Sequence, residues 1–296
     1  MSFHLVSSLE RQNLFCGSKI KLLSPAKINL YLNIVGKEAN GFHRIESIAE
    51  RVSLFDEIVI KVKKCPAVNI FCNEKSLEAD SNLCVMAARL LKEKLKIHPG
   101  FDIFLKKNIP VGSGLGGGSS NAAFTLLGIN TLLGLNLSSS ELYRLGDKLG
   151  SDVNFFLSQS KFAYLYGRGE KVVPFKGKTL GHEIAWPRIN LSTKKVYQET
   201  KVKLTKFFNN VKILNYALKK GDTFLLKKSI FNVLEKTVIS MCKEVREVKR
   251  YLDRKGIFSK VTGSGSALYV VLNERFALGI KDILPKGWLT FTVQTF

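Results

Sequence analysis

No stretch of this chain approaches the roughly 18 uninterrupted apolar residues of a membrane-crossing helix, although 45% of its residues are hydrophobic and its mean hydropathy is +0.05. No secretory leader is expected either. The opening MSFHLVSSLERQNLF is too polar, and charged too early, for an apolar leader core, and reads as a terminal extension. A cytoplasmic protein with no membrane partner is therefore expected. The five cysteines (Cys16, Cys65, Cys72, Cys84 and Cys242) are odd in number and contain no C-x-x-C pair, and the four histidines form no H-E-x-x-H. Neither a disulfide framework nor a zinc site is supported. Internal repeats, low-complexity tracts and long linkers are lacking as well, so the expected domains share a cleft.

Acidic residues are scarce: 24 stand against 46 lysines and arginines, for a net charge of +22. Such an excess attracts polyanions, from nucleic acids to phosphorylated metabolites, or simply solvates the surface. With no arginine-rich tail and no aromatic RNA-binding motif, a nucleic-acid partner is not expected.

What is present fits two domains. Short strand-like runs (SKIKLL, AKINLYLNI, ESIAERVSLF, EIVIKV, VNIFC, FDIFL) mix with helical stretches, one of them starting near SNLCVMAARLLKEKL behind the cap candidates Asp80 and Ser81. This predicts an α+β domain over residues 1–170. After the hairpin-like KFAYLYGRGEKVVPF come helical runs, notably NVLEKTVISMCKEVREVKRYLDRK closed by Gly256. The strand SALYVVL, a short helix and a final strand TFTVQTF complete a smaller α+β domain, 171–296, with helices on one face of an antiparallel sheet.

Residues 110–121 read PVGSGLGGGSSN, between a strand-like and a helix-like run. Each glycine beside a helix costs about 1 kcal/mol relative to alanine, so the cluster needs a compensating reason. One is an anion cradle, in which backbone N–H groups of the turn and the start of the amphipathic-looking NAAFTLLGINTLLGL helix converge on phosphate. A P-loop is excluded because no lysine follows Gly118. Gly112, Gly114 and Gly117 match a dinucleotide fingerprint literally, but the required acidic residue about 20 positions on is absent. Instead, Ser138 and Glu141 form a capping box that opens another helix. Tight helix packing or a flexible linker remains the alternative.

The pattern P-x-G-x-G-L-G-G-G-S-S resembles the phosphate loop of the GHMP kinase superfamily, with SPAKINLYLNI before it and the glycine-rich VTGSGSALYVVL after it. The order of SPAKINLYLNI, GFH, GGGSSNAA and GSDVNFF is most similar to the branch that phosphorylates a cytidyl diphosphate alcohol in non-mevalonate isoprenoid synthesis. The resemblance runs from about Ser24 to Ser266. It implies a ribosomal protein S5 domain 2-like N-terminal domain, a ferredoxin-like C-terminal domain, and ATP with Mg²⁺ as cofactors.

By the same resemblance, Pro110, Val111, Gly112, Ser113, Gly114, Leu115, Gly116, Gly117, Gly118, Ser119 and Ser120 hold the triphosphate, with Asn82 and Lys107 near the nucleotide. Lys27 and Asp152 are implied as the catalytic pair and Asn29 as a substrate residue. Phe42 and His43 are implied to read the cytosine, with Tyr197 as a second ring. Ser113 stands where the family has glycine, which is tolerated if its φ stays negative. WPRINLSTKK replaces a His-Pro-Gly-like segment.

Taken alone, the same residues read in two ways. Lys27 and Asn29 lie on one face of a strand, either solvated or functional. Asp152 is an N-cap or a base. Phe42 and His43 follow the turn signal Ala39-Asn40-Gly41 and are expected exposed at the head of a strand. A mevalonate- or homoserine-type kinase, or an RNA-binding module without catalysis, are the rival readings.

Overall fold

The computed structural model describes residues 16–38, 41–201, 209–272 and 279–296. The expected terminal extension (1–15) and the Ala39-Asn40 part of the turn lie outside the described residues. Of the short helix expected after SALYVVL, residues 273–278 also lie outside, and Ile280–Ile283 is a 3-10 turn. Contacts group the chain into two units, both discontinuous in sequence. The first holds the chain up to Ser24, Phe55–Asn108 and Gly118–Leu157; the second holds Pro25–Leu54, Ile109–Gly117 and Ser158–Phe296.

Two long strands, β1 (Lys19–Lys37) and β2 (His43–Lys63), run through both units. The sequence reads each as two shorter runs, because Pro25 and Asp56 look like breaks. Neither breaks its strand. Proline costs one ladder donor while its fixed φ suits an extended chain. Asp56 is fully buried, where its carboxylate accepts from Asn108 N at 2.7 Å and from the Lys107 ammonium.

In the first unit β3 (Val68–Cys72) lies parallel to β4 (Gly100–Lys106), which runs antiparallel to β2 from Glu57↔Lys106 to Lys63↔Gly100. Ile58, Ile60 and Val62 alternate inward with period two. Helix α1 (Leu83–Leu95) sits between β3 and β4 in the chain, and α2 (Gly117–Leu132), α3 (Ser139–Leu149) and α4 (Val153–Leu157) follow. The cap of α1 is Asn82, whose Oδ1 accepts from Cys84 N at 2.9 Å; it is neither Asp80, which pairs with Arg89 at 2.7 Å, nor Ser81. The Ser138–Glu141 capping box is present as expected. Helix α2 is not amphipathic: Ser120, Asn121, Ala122, Ala123, Thr125, Leu126 and Ile129 are all buried, so most of its circumference faces protein. Gly128 lets it approach that closely, since a Cβ there would lie 3.0 Å from Ile60 Cδ1.

All five cysteines are free thiols, and burial raises the pKa of Cys72, Cys242 and Cys84, the last to about 11. Thiolate is the reactive form. Mild native labelling at pH 8 is expected to modify exposed Cys65 and half-buried Cys16 quickly, the other three reacting only on denaturation. Rapid modification of Cys84 would contradict the packing around α1.

In the second unit β5 (Phe162–Gly167) pairs with the first half of β2 and forms the expected hairpin with β6 (Lys171–Phe175). Next come β7 (Gly181–Trp186), α5 (Thr193–Glu199), α6 (Asn209–Lys220), α7 (Thr223–Ser229) and the two-residue β8 (Phe231–Asn232), parallel to β1. Then follow α8 (Glu235–Met241), α9 (Lys243–Arg254), β9 (Ser259–Val261), β10 (Leu268–Leu272) and β11 (Leu289–Gln294). Strands β11-β7-β10-β9 form an antiparallel sheet in that order. The long helix expected over NVLEKTVISMCKEVREVKRYLDRK is two helices, because Cys242 adopts an extended conformation between α8 and α9. Gly256, at φ +70°, ends the second as expected. One core cluster joins Ile28 and Leu30 to Leu214, Leu218 and Tyr269; a second joins Val245, Val248 and Leu252 to Val261 and Leu268.

Candidate active site

The glycine-rich loop belongs to the second unit as far as Gly117, where α2 begins. Gly112, Gly114 and Gly116 have φ of +62°, +83° and +71°, while Ser113 is absent from the positive-φ residues, so its replacement of glycine introduces no backbone strain. Three loop carbonyls are fastened: Gly112 O accepts from Leu191 N (3.0 Å), Ser113 O from Ala267 N (3.0 Å) and Leu115 O from Lys27 N (2.9 Å). Ser113 Oγ also donates to Pro110 O at 2.7 Å. A loop held through its carbonyls keeps its N–H groups for an anion, and the following helix adds partial positive charge.

Lys27 and Asn29 share a face of β1 as the alternation predicts, but that face is not solvated. They are 5% and 4% exposed, respectively. The cause is the Thr262–Gly265 segment after β9, which covers them. Lys27 Nζ donates to Asn29 Oδ1, and a Cβ on Gly263 would lie 3.3 Å from that ammonium and 3.1 Å from that oxygen. The remaining groups of Asn29 are engaged too. Its backbone N donates to Thr262 Oγ1 (3.1 Å), its O accepts from Tyr269 OH (3.2 Å), and its Nδ2 donates to Ser47 Oγ (2.9 Å). An amide anchored at both its oxygen and its nitrogen holds the ammonium in one place. The same turn abuts the loop: a Cβ on Gly114 would overlap Thr262 O and lie 2.9 Å from Gly265 N.

Asp152 belongs to the first unit, half-buried in the turn that opens α4. Neighbouring Gly150 lies beside the start of α2, where an added Cβ would meet Ser119 Oγ at 3.8 Å. Ser120 Oγ is hydrogen-bonded to Ser24 Oγ at 2.7 Å. Asn82 and Lys107 have structural duties. Asn82 caps α1 and donates to Leu77 O at 2.9 Å, while the Lys107 ammonium is buried against Asp56 and Asn121 Oδ1, the latter at 3.0 Å.

Phe42 is 53% exposed at the head of β2, as expected, and its ring faces the Arg168 guanidinium at 5.1 Å. His43 lies against Tyr197, with ring centroids 5.4 Å apart and tilted by 33°. Burial, and then the charge of Lys37, lower the pKa of His43. Its imidazole is therefore neutral at pH 7, presenting one donor and one acceptor nitrogen. Sequence reasoning missed Arg168, at the tip of the β5–β6 hairpin, and Thr262. Only the glycines around Thr262 had marked that segment.

The model for the GHMP kinases N terminal domain matches residues 82–160, and that for the GHMP kinases C terminal domain matches 214–288. A protein of Clostridioides difficile (strain 630) named 4-diphosphocytidyl-2-C-methyl-D-erythritol kinase is 36% identical over 93% of this chain and 95% of its own. One of the same name from Caldanaerobacter subterraneus subsp. tengcongensis is 34% identical over 86% and 89%. Among solved structures, a 4-(cytidine 5'-diphospho)-2C-methyl-D-erythritol kinase superposes with a TM-score of 0.77 at 26% identity, covering 93% of this chain and 98% of its own. Homoserine kinase from Cytophaga hutchinsonii, at 18% identity and a TM-score of 0.72, shares the fold over 100% of this chain and 97% of its own.

Proposed function

Since this chain belongs to the GHMP kinases and, within them, to the 4-diphosphocytidyl-2-C-methyl-D-erythritol kinases, we propose how its residues carry out that family's reaction. The chain is an ATP-dependent kinase of non-mevalonate isoprenoid synthesis with the two-domain GHMP kinase fold. It moves the γ-phosphoryl group of ATP to the 2-hydroxyl of 4-diphosphocytidyl-2-C-methyl-D-erythritol, giving the 2-phosphate and ADP. The matched segments 82–160 and 214–288 fall on either side of residue 170, which supports an ATP-binding domain over 1–170 and a C-terminal domain over 171–296. A cytoplasmic setting, where ATP is made, accords with five free thiols. Among the described residues, no helix is long and apolar enough to cross a membrane.

The observation that carries the site assignment is the buried Lys27 ammonium, held by Asn29 beside the turn that backs the glycine loop. A lysine is kept out of water at such a place only with a compensating partner. We assign the N–H groups of residues 110–118 and the hydroxyls of Ser119 and Ser120 to the ATP phosphates. Lys27 offsets charge gathering on the transferred phosphoryl oxygens. Asp152 orients the acceptor hydroxyl and takes its proton late in the transfer, because an aliphatic alcohol is a poor nucleophile at neutral pH. Asn82 and Lys107 border the nucleotide through their segments, their side chains being committed elsewhere.

Among the described residues no group of three His, Cys, Asp or Glu side chains could cage a metal ion. We assign Mg²⁺ to the nucleotide phosphates, the usual arrangement for an ion that takes few carboxylates from a protein. When bound with the nucleotide it would neutralise charge on the phosphates.

Phe42 stacks on the cytosine, neutral His43 bonds its polar edge, and Tyr197 supports His43. ADP release measured with the cytidyl alcohol, homoserine and mevalonate tests the assignment. Turnover with either of the latter alone would retire the cytidyl substrate and leave the kinase. Phe42→Ala is expected to raise KM for the cytidyl alcohol about 5- to 150-fold, the equivalent of the ~1–3 kcal/mol of a base stack. Its kcat and its KM for ATP should stay near normal; an unchanged KM for the alcohol would remove Phe42 from the base site.

A further inference from the structure

The turn covering Lys27 follows β9, which lies at the edge of its sheet. An edge strand leaves every second residue with an N–H and a C=O that no neighbouring strand satisfies. Val261, the last residue of β9, is gripped at both groups. Its N donates to Glu235 Oε2 at 2.9 Å, and its O accepts from Asn232 Nδ2 at 2.8 Å. The same Asn232 nitrogen reaches past Thr262 to Gly263 O, also at 2.8 Å, while Asn232 Oδ1 accepts from Leu234 N at 3.0 Å. Glu235 Oε1 accepts from Lys260 Nζ at 3.1 Å. Asn232, 5% exposed, stands on β8, which is paired to β1 at Leu32. Two side chains three positions apart thus take the place of a missing strand and tie β9 to the strand that carries Lys27.

We infer that Asn232 and Glu235 are positioning residues for phosphoryl transfer. They fix the Thr262–Gly265 turn, and through it the Lys27 ammonium and the backbone of Gly114. The chain of contacts is continuous. Asn232 holds Gly263 O; Gly263 closes over Lys27 Nζ and Asn29 Oδ1; Thr262 Oγ1 holds Asn29 N; and Thr262 O and Gly265 N wall in Gly114. A turn that shifts moves both the ammonium and the anion loop. The inference rests on the assignment of Lys27 to the transferred phosphoryl group, and it adds two residues distant in sequence from every glycine motif.

Asn232→Ala, Glu235→Ala and Glu235→Gln test it, with steady-state kinetics on both substrates, calorimetric titration with Mg·ATP, and melting curves. A misplacement near 1 Å costs about 100-fold in rate. Asn232→Ala and Glu235→Ala are accordingly expected to lower kcat about 10- to 100-fold and to weaken Mg·ATP several-fold, while KM for the cytidyl alcohol moves less than about twofold. Glu235→Gln still offers an oxygen to Val261 N and should keep most of kcat. In a cycle with Thr262→Val, the double variant with Asn232→Ala should lose little more kcat than the worse single one, since both act through one turn.

If Asn232→Ala does not fold, the Glu235 pair decides. Lower melting temperatures with unchanged kcat and unchanged Mg·ATP affinity overturn the inference, as does an equal loss in Glu235→Gln and Glu235→Ala. Should the unaltered protein ignore the cytidyl alcohol, the functional assignment fails on its own. Weaker Mg·ATP binding in Glu235→Ala would still uphold the clamp, and unaltered binding would reject it.

Discussion

Lys27→Met and Asp152→Asn should each leave a folded protein that binds both substrates and scarcely turns them over. Methionine keeps the unbranched stem of lysine in its buried slot while removing the charge. Asparagine keeps the shape of aspartate while removing its basicity. Loss of a preorganised charge stabiliser lowers kcat by about 10²–10³, and loss of a general base by about 10²–10⁴. KM for either substrate should move little, because the interactions removed strengthen only at the transition state. Groups that serve one step are strongly non-additive, so the double variant should fall little below the worse single one. Lys27→Met also strips Asn29 Oδ1 of its donor, and a lower melting temperature is expected alongside. Either variant retaining more than about a tenth of normal kcat would remove that residue from the chemistry.

Gly114→Ala is expected to damage the nucleotide site through the backbone alone. At φ +83° any side chain is strained, by about 1–3 kcal/mol. The new methyl would also overlap Thr262 O and stand 2.9 Å from Gly265 N. Both are backbone atoms, and neither can rotate away. The loop or the turn must therefore shift, and the turn is what holds Asn29 and covers Lys27. We expect kcat/KM for ATP to fall about 100-fold, in line with the cost of a 1 Å misplacement, with a smaller change in KM for the cytidyl alcohol. Gly134→Ala is a matched control, because its φ of +59° imposes similar strain while no atom lies within 4 Å of the added methyl. Equal ATP kinetics in the two variants would show that the loop and turn are not in the close contact described.

Features set by neighbours in sequence were legible before the structure: the Ser138–Glu141 box, the β5–β6 hairpin, the Gly256 stop and the glycine loop itself. Features set by distant partners were not. Pro25 and Asp56 look like interruptions until Leu115 O and Lys107 are seen to occupy the groups beside them. GHEIAW is not among the strand-like runs of the sequence, yet it forms β7, with His182 and Glu183 buried. In the fold His182 pairs with buried Glu50 at 2.8 Å, and Glu183 accepts from Ile280 N at 2.8 Å. The polar face of β1 alternates as any exposed strand would, and nothing local says that residues 262–265 will cover it. Asn232 and Glu235 carry no local mark of function, since the groups they hold around β9 lie 25 or more positions away.

The interleaving of the two units bears on how the chain is made. Segment 25–54, which includes Lys27 and Asn29, finds most of its companions in 158–296. A ribosome adding about 5–20 residues per second must work for on the order of tens of seconds before that partner is complete. Throughout that interval a strand built to be buried on both faces stays uncovered in the cell. The Thr262 hydroxyl that anchors Asn29 is synthesised 233 residues after it, so this corner of the second unit closes late.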